Sequence, residues 1–173
     1  MSNLPHAVFV YGTLQSGHWN NHVLRRGKHQ LVGTGYTVPK FLLFDGGFPK
    51  MAHMPVHASL DILNKLTPLL GHVRGEVWRL DDESLIECDR LEGHPKFYCR
   101  EKIGVHLDGS AKPTTAWAYV IANFPHHDRN ALMVPKDGRL AWDRSDRRPA
   151  FDAPLREPEP ALRGKVLARE RKR

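Results

Sequence analysis

Ala7-Val8-Phe9-Val10 runs directly into Tyr11-Gly12-Thr13-Leu14 and then Gln15-Ser16-Gly17, and this junction decides how the rest of the chain is read. Four consecutive apolar residues, two of them β-branched, predict a short buried strand. The glycines that follow permit a sharp turn and a close approach by another molecule. A strand that stops at such a loop leaves amide N–H groups unpaired, and unpaired amides bind carboxylates or phosphates, especially where a helix begins just beyond. Residues 20–26 supply a candidate for that helix. A plain tight turn between a core strand and a helix accounts for the same residues, so the loop needs a partner elsewhere in the chain. Neither the Gly-Lys-Ser/Thr of a P-loop nor the Rossmann glycine spacing occurs, which turns the expected anion away from nucleotide phosphates.

At 173 residues the chain is long enough to bury a core without disulfides or metal. Cys88 and Cys99 lack the C-x-x-C spacing of a zinc or redox site, as expected for a reduced intracellular protein. The N-terminus has no positively charged and apolar leader, and no run approaches the roughly 18 apolar residues of a membrane span, so the expectation is a soluble, cytoplasmic protein without a membrane partner. The net charge is +7. Residues 144–173 carry 10 Lys and Arg against 5 Asp and Glu, whereas the preceding 143 carry 16 against 14. The charge therefore lies in the tail, which also holds Pro149, Pro154, Pro158 and Pro160 and few large apolar residues after Phe151. Such a composition cannot easily bury a core. The reading is a folded domain over 1–143 and a basic, flexible or draped Pro/Arg-rich extension over 144–173. Charge confined to a tail makes nucleic acid an unlikely partner.

Further along, 30–38 and 41–44 read as strands separated by Pro39, and the turn Asp45-Gly46-Gly47-Phe48-Pro49 ends the second. Leu60, Leu63 and Leu66 have helical spacing up to Pro68, within a segment, 51–70, that reads as an insertion placed to cover a pocket mouth. Residues 72–80 alternate as a strand, with Gly75 marking close packing in a curved sheet. Asp81-Asp82-Glu83-Ser84 is a strong helix start, with an aspartate cap and acidic residues against the dipole. Strands over 97–107 and 114–122 follow, joined at Asp108-Gly109-Ser110. Strands outnumber helices without βαβ alternation, which predicts an α+β fold: a small mixed or antiparallel β-barrel flanked by helices.

Within the helix that starts at Asp82, Leu85 and Cys88 share a face, and the next position on that face is Glu92. Gly93-His94-Pro95 ends the helix there, so the carboxylate sits where the dipole disfavours its charge. Burial and dipole both raise a glutamate pKa toward neutrality, where a general acid or base works best. Pairing with Arg90 or Arg100, or a wet helix end, would instead make it an ordinary surface charge. His94 is read as a helix-terminating residue placed to hydrogen-bond near Glu92.

Taken together, Phe9-Val10-Tyr11-Gly12-Thr13-Leu14 with Gly17, Gly47-Phe48-Pro49, Gly75-Glu76-Val77, Leu91-Glu92-Gly93-His94-Pro95 and Tyr98-x-Arg100 resemble the γ-glutamylcyclotransferase superfamily over roughly residues 7–125. The branch they are most similar to is the γ-glutamylamine cyclotransferase (AIG2-like) type. The resemblance implies a mixed barrel of about six strands with one cavity at its mouth. It implies that the Tyr11, Gly12, Thr13 and Leu14 loop holds the α-carboxylate of a small-molecule γ-glutamyl substrate and that Glu92 is the catalytic general acid/base. The implied reaction releases 5-oxo-L-proline and a free amine by attack of the substrate's own α-amine, with no cofactor. A late-strand pocket tyrosine expected from the resemblance falls at Ile121, beside Tyr119-Val120. The competing reading is a non-catalytic small-molecule- or protein-binding domain on the same fold. His53, His57, His126 and His127 do not have metal-ligand spacing, so no metal is expected. Trp78, Trp117 and Trp142 are read as core or pocket wall.

Overall fold

The apolar run 7–10 has no polar face because it is the seam of a closed barrel. In the computed structural model, which describes residues 4–143, β1 (His6–Val10) is followed by α1 (Asn21–Leu24), β2 (His29–Thr37), β3 (Leu42–Asp45), β4 (Pro49–Ala52) and α2 (Leu60–Leu66). Then come β5 (His72–Leu80), α3 (Asp82–Glu92), β6 (Tyr98–Leu107), β7 (Thr114–Ile121) and β8 (Arg139–Leu140). The circuit β1-β7-β6-β2-β5 closes by a β5–β1 pairing. β1 lies parallel to β7 and antiparallel to β5, so the barrel is mixed, as expected. It closes on five strands, where the resemblance implied about six. β8 adds only a short parallel pairing at His72 and Val73, and β3 and β4 form a separate hairpin.

Alternation along β1 divides two cores. Ala7, Phe9 and Tyr11 join the interior cluster with Val73, Val77, Val105 and Ala118, while Val8 and Val10 join Leu24, Trp78, Leu85 and Cys88 in the cluster beneath the helices. Closure demands close strand approach at two paired glycines, Gly35 and Gly75. A Cβ on Gly75 would stand 2.3 Å from the Val10 carbonyl oxygen, and one on Gly35 would stand 2.2 Å from that of His106. The side-chain-free pair lets β1 close onto β5 at Val10 and β6 onto β2 at His106 while β2 and β5 stay paired.

The caps act as the sequence predicts. Asp81 accepts from the Ser84 amide at 3.0 Å and from the Lys28 amide at 2.6 Å, and these bonds, Ser84 first, hold its carboxyl below the usual range. That contact also explains a departure. The helix expected over 20–26 shrinks to one turn because the following residues brace the start of α3, Gly27 through Ser84 Oγ at 2.9 Å and Lys28 through Asp81. The hairpin and α2 build a third cluster around Leu42, Phe44, Ala52 and Leu66. Strands β4 and β8 were not anticipated. The basic extension read over 144–173 lies outside the described residues. Among the described residues, no helix is long and apolar enough to cross a membrane.

Gly75→Ala forces a methyl group against a backbone carbonyl that cannot yield, so it is expected to destabilise the fold by about 2–3 kcal/mol or more. Gly33→Ala meets only Leu107 Cδ2 at 3.8 Å and should change stability by less than about 1 kcal/mol. Urea-unfolding midpoints of the two variants test this, and equal midpoints would refute the closure argument.

Candidate active site

Where β1 ends, the chain opens onto a cleft of about 530 Å³. Tyr11, Thr13 and Leu14 form one wall, Phe48 and Pro49 of the hairpin a second, and Glu92 at the end of α3 a third. Tyr98 from β6 and Tyr119 from β7 complete it.

The loop between Tyr11 and Asn20 is held through its acceptors. Gln15 donates to the Gly12 carbonyl at 3.0 Å, and the Asn20 amide donates to that of Thr13 at 3.1 Å. Asn20 Nδ2 reaches Thr13 Oγ1 at 3.0 Å, and Asn21 Nδ2 reaches the Leu14 carbonyl at 2.8 Å. The amides of Gly12, Thr13 and Leu14 have no acceptor among the described residues. The loop thus keeps its donors, the state an anion site needs. Gly12 differs from expectation in one respect: a Cβ there would lie 2.3 Å from Pro49 Cγ, so the residue that requires it to be glycine is the protein's own Pro49. Tyr11, Thr13 and Leu14 line the cleft, and Gly12 between them packs against that proline through its Cα.

Glu92 is the last residue of α3, and Gly93 caps the helix in the left-handed conformation at φ 63°. Leu85 and Cys88 on the same face are buried, as the spacing predicts. Both arginines that might neutralise Glu92 are engaged elsewhere: Arg90 pairs with Glu87, and Arg100 with Asp89 at 2.8 Å. Burial raises the Glu92 carboxyl from 4.5 to about 7. Its neighbours respond in turn. Burial first and the Glu92 charge second push the Cys88 thiol up to about 12 and raise Tyr11; for Tyr98, burial and then Tyr11 precede Glu92.

The tyrosine hydroxyls are tied to the frame. Tyr11 donates to the Tyr119 carbonyl at 2.7 Å and accepts from the Met51 amide at 3.2 Å; Tyr98 donates to the Pro49 carbonyl at 2.9 Å. Tyr119 donates to Asp89 Oδ1 at 2.7 Å, joining β7 to α3. A late-strand tyrosine therefore does line the cleft, and it is Tyr119; Ile121 packs with the clusters behind it. Sequence reasoning missed Tyr98, whose signal was its position within a quoted motif, and Asp89 and the bracing asparagines, which no quoted motif contains.

Other expectations are redirected. His94 Nδ1 accepts from the Arg100 amide at 3.1 Å, fixing the α3–β6 junction and not Glu92. The segment 55–70 does not cover this cleft; with Phe124 and Leu132 it lines a separate apolar groove of about 730 Å³. Trp78 and Trp142 are buried, and Trp117 lies under Arg100 and Lys102.

Residues 8–143 match the family model described as gamma-glutamyl cyclotransferase, AIG2-like. A relative from Methanocaldococcus jannaschii is 32% identical over 112 residues, 65% of this chain and 81% of its own. The Bos taurus protein named gamma-glutamylaminecyclotransferase is 31% identical over 125 residues, covering 68% and 67%. A crystal structure of an AIG2-like protein from Mus musculus superposes with a TM-score of 0.60 at 23% identity, over 82% of this chain and 98% of that one, a likeness of fold.

Because the folded protein binds the Glu92 proton more tightly than the unfolded chain, ionising this group destabilises the fold. Stability is expected to fall as pH rises from about 4.5 to about 7, by on the order of 3 kcal/mol. Glu92→Gln removes that cost, so the variant should be more resistant to urea than wild type at pH 8, with the difference closing below about pH 4.5. A difference independent of pH would refute the raised pKa.

Proposed function

The chain belongs to the gamma-glutamyl cyclotransferase, AIG2-like family, and on that footing we propose that it cyclises a γ-glutamyl-amine or γ-glutamyl-amino acid to 5-oxo-L-proline and a free amine. Glu92 is the general acid/base, and the loop at Tyr11, Gly12, Thr13 and Leu14 receives the substrate's α-carboxylate. The observation that carries this reading is the facing of a carboxyl titrating near 7 and a loop with unpaired amides across one cleft.

The chemistry follows from those two groups. Ionised Glu92 takes a proton from the α-ammonium, freeing a lone pair that attacks the γ-carbonyl carbon of the same molecule. A C–N bond forms and the carbonyl π electrons move to oxygen. The ring nitrogen then gives its second proton to solvent water, the carbonyl re-forms, and the bond to the leaving nitrogen breaks as protonated Glu92 delivers the first proton to it, which returns Glu92 to its ionised form. Ring closure is unimolecular, so anchoring the α-carboxylate in the attack conformer supplies much of the acceleration. A carboxyl with a pKa near working pH serves both transfers. The free thiols of Cys88 and Cys99 suit a reducing, cytoplasmic setting.

Incubation with γ-glutamyl-amines, γ-glutamyl-amino acids and glutathione is expected to yield 5-oxo-proline from at least one of them. Glu92→Gln should lower kcat by about 10²–10⁴-fold. The wild-type kcat/KM should fall with unit slope below about pH 7, where Glu92 becomes protonated. No product from any substrate class would refute the enzyme reading in favour of a binding domain, and undiminished turnover by Glu92→Gln would remove the acid/base assignment.

A further inference from the structure

Glu76 lies in β5, 9% exposed, outside the cleft lining, and three donors converge on its Oε2. They are the Ser16 amide at 2.9 Å, the Ser16 hydroxyl at 3.1 Å and the Trp78 indole nitrogen at 2.9 Å. A buried carboxylate is costly unless hydrogen-bonded, and here two of the three bonds go to one loop residue sixty positions away. Ser16 follows Leu14 by two positions, and the Gln15 amide between them is already taken by the Gly12 carbonyl. Beyond the free amides of Gly12, Thr13 and Leu14, the next donors along the loop are those of Ser16, and Glu76 occupies them.

We propose that Glu76 is a positioning residue: its buried carboxylate claims Ser16, fixes the far end of the loop, and leaves the amides of Gly12, Thr13 and Leu14 as the single register in which a substrate carboxylate can bind. The asparagines complement this by consuming loop acceptors, while Glu76 consumes the surplus donors. Without Glu76, Ser16 would offer its own amide and hydroxyl to the incoming anion, and the substrate would have two registers of which one misplaces the α-amine. The proposal rests on the loop receiving the α-carboxylate, and its test must separate the two.

The probe is L-glutamate, which has the α-amine and α-carboxylate but no amine to release, with 4-aminobutyrate, lacking the α-carboxylate, as control. In wild type, L-glutamate is expected to shift the backbone amide resonances of Gly12, Thr13 and Leu14, and 4-aminobutyrate is not. Glu76→Ala should weaken the L-glutamate response about tenfold or more and move it partly onto Ser16, and Glu76→Gln, which keeps an acceptor oxygen, should restore most of it. With a turned-over γ-glutamyl substrate, Glu76→Ala should raise KM about tenfold and change kcat less than about threefold, with the acid limb of the pH profile unmoved. Ser16→Ala, which deletes one of the three bonds, should weaken binding about threefold even if Glu76→Ala fails to fold. Wild-type affinity in Glu76→Ala or Ser16→Ala overturns the proposal, as does a shifted acid limb, which would place Glu76 in the proton chemistry. L-Glutamate binding at these amides without 5-oxo-proline from any substrate would overturn the proposed activity and leave the role of Glu76 standing.

Discussion

The pairing of β1 on both edges is the constraint on which the rest of the structure depends. A strand hydrogen-bonded to β5 on one side and β7 on the other has no edge to offer and no freedom to shift register, since a one-residue slip would exchange Phe9 and Val8 between the two cores. Its end at Val10 is therefore fixed in space, and the loop that follows starts from a rigid point. The same pairing sets the demand at Gly75, which lies against Val10 at the place where β1 gives way to the loop. Barrel closure and the loop's starting geometry are one event.

The β3–β4 hairpin is not hydrogen-bonded into the barrel sheet, yet its Leu43 and Met51 join the interior core and it finishes the cleft. Pro49 packs on Gly12 and receives the Tyr98 hydroxyl, and the Met51 amide donates to Tyr11. Each contact joins the hairpin to a tyrosine of the cleft wall or to the loop beside it, so the hairpin is held by the site as much as the site is held by it. Two tyrosines that would be expensive to bury unpaired are satisfied by backbone, Tyr98 by the hairpin and Tyr11 by the hairpin and β7 together, which makes their rings fixed walls.

The barrel and the outline of the site were legible because they rest on local signals. Two-sided burial of 7–10, the strand over 72–80, the Asp81 cap and the offsets placing Glu92 on the face of Leu85 and Cys88 all follow from period and capping. What escaped depends on contacts between distant segments. Nothing near Gly12 announces that Pro49 will cover it, and α1 is cut short by Ser84 and Asp81, more than fifty residues away. The segment 51–70 looked like a cover for the cleft because chain position alone could not reveal that Leu66 packs on Leu42 and Phe44. Tyr119 lines the cleft, where the motif register pointed to Ile121, because side chains two apart share a face of β7 but not a depth along it.

Three carboxylates within this small region meet three electrostatic fates, and the differences assign their roles more surely than residue type does. Glu76 accepts three hydrogen bonds, two of them from Ser16, and ties β5 to the loop. Asp89 receives the Arg100 guanidinium and the Tyr119 hydroxyl, so it serves as a joint between α3, β6 and β7. Glu92, three residues past Asp89 on the same helix, has no hydrogen bond or ion pair among the described residues, and burial alone governs it. Had Arg100 reached Glu92 instead of Asp89, the ion pair would have stabilised the charged form and lowered the pKa, leaving a carboxylate too weak a base near neutral pH. The arginine's commitment to Asp89, reinforced by the Trp117 ring beneath it, thus leaves Glu92 without a cation that would hold its charged form. A charge pair that looks purely structural lets burial alone set the acidity of the carboxyl one turn away.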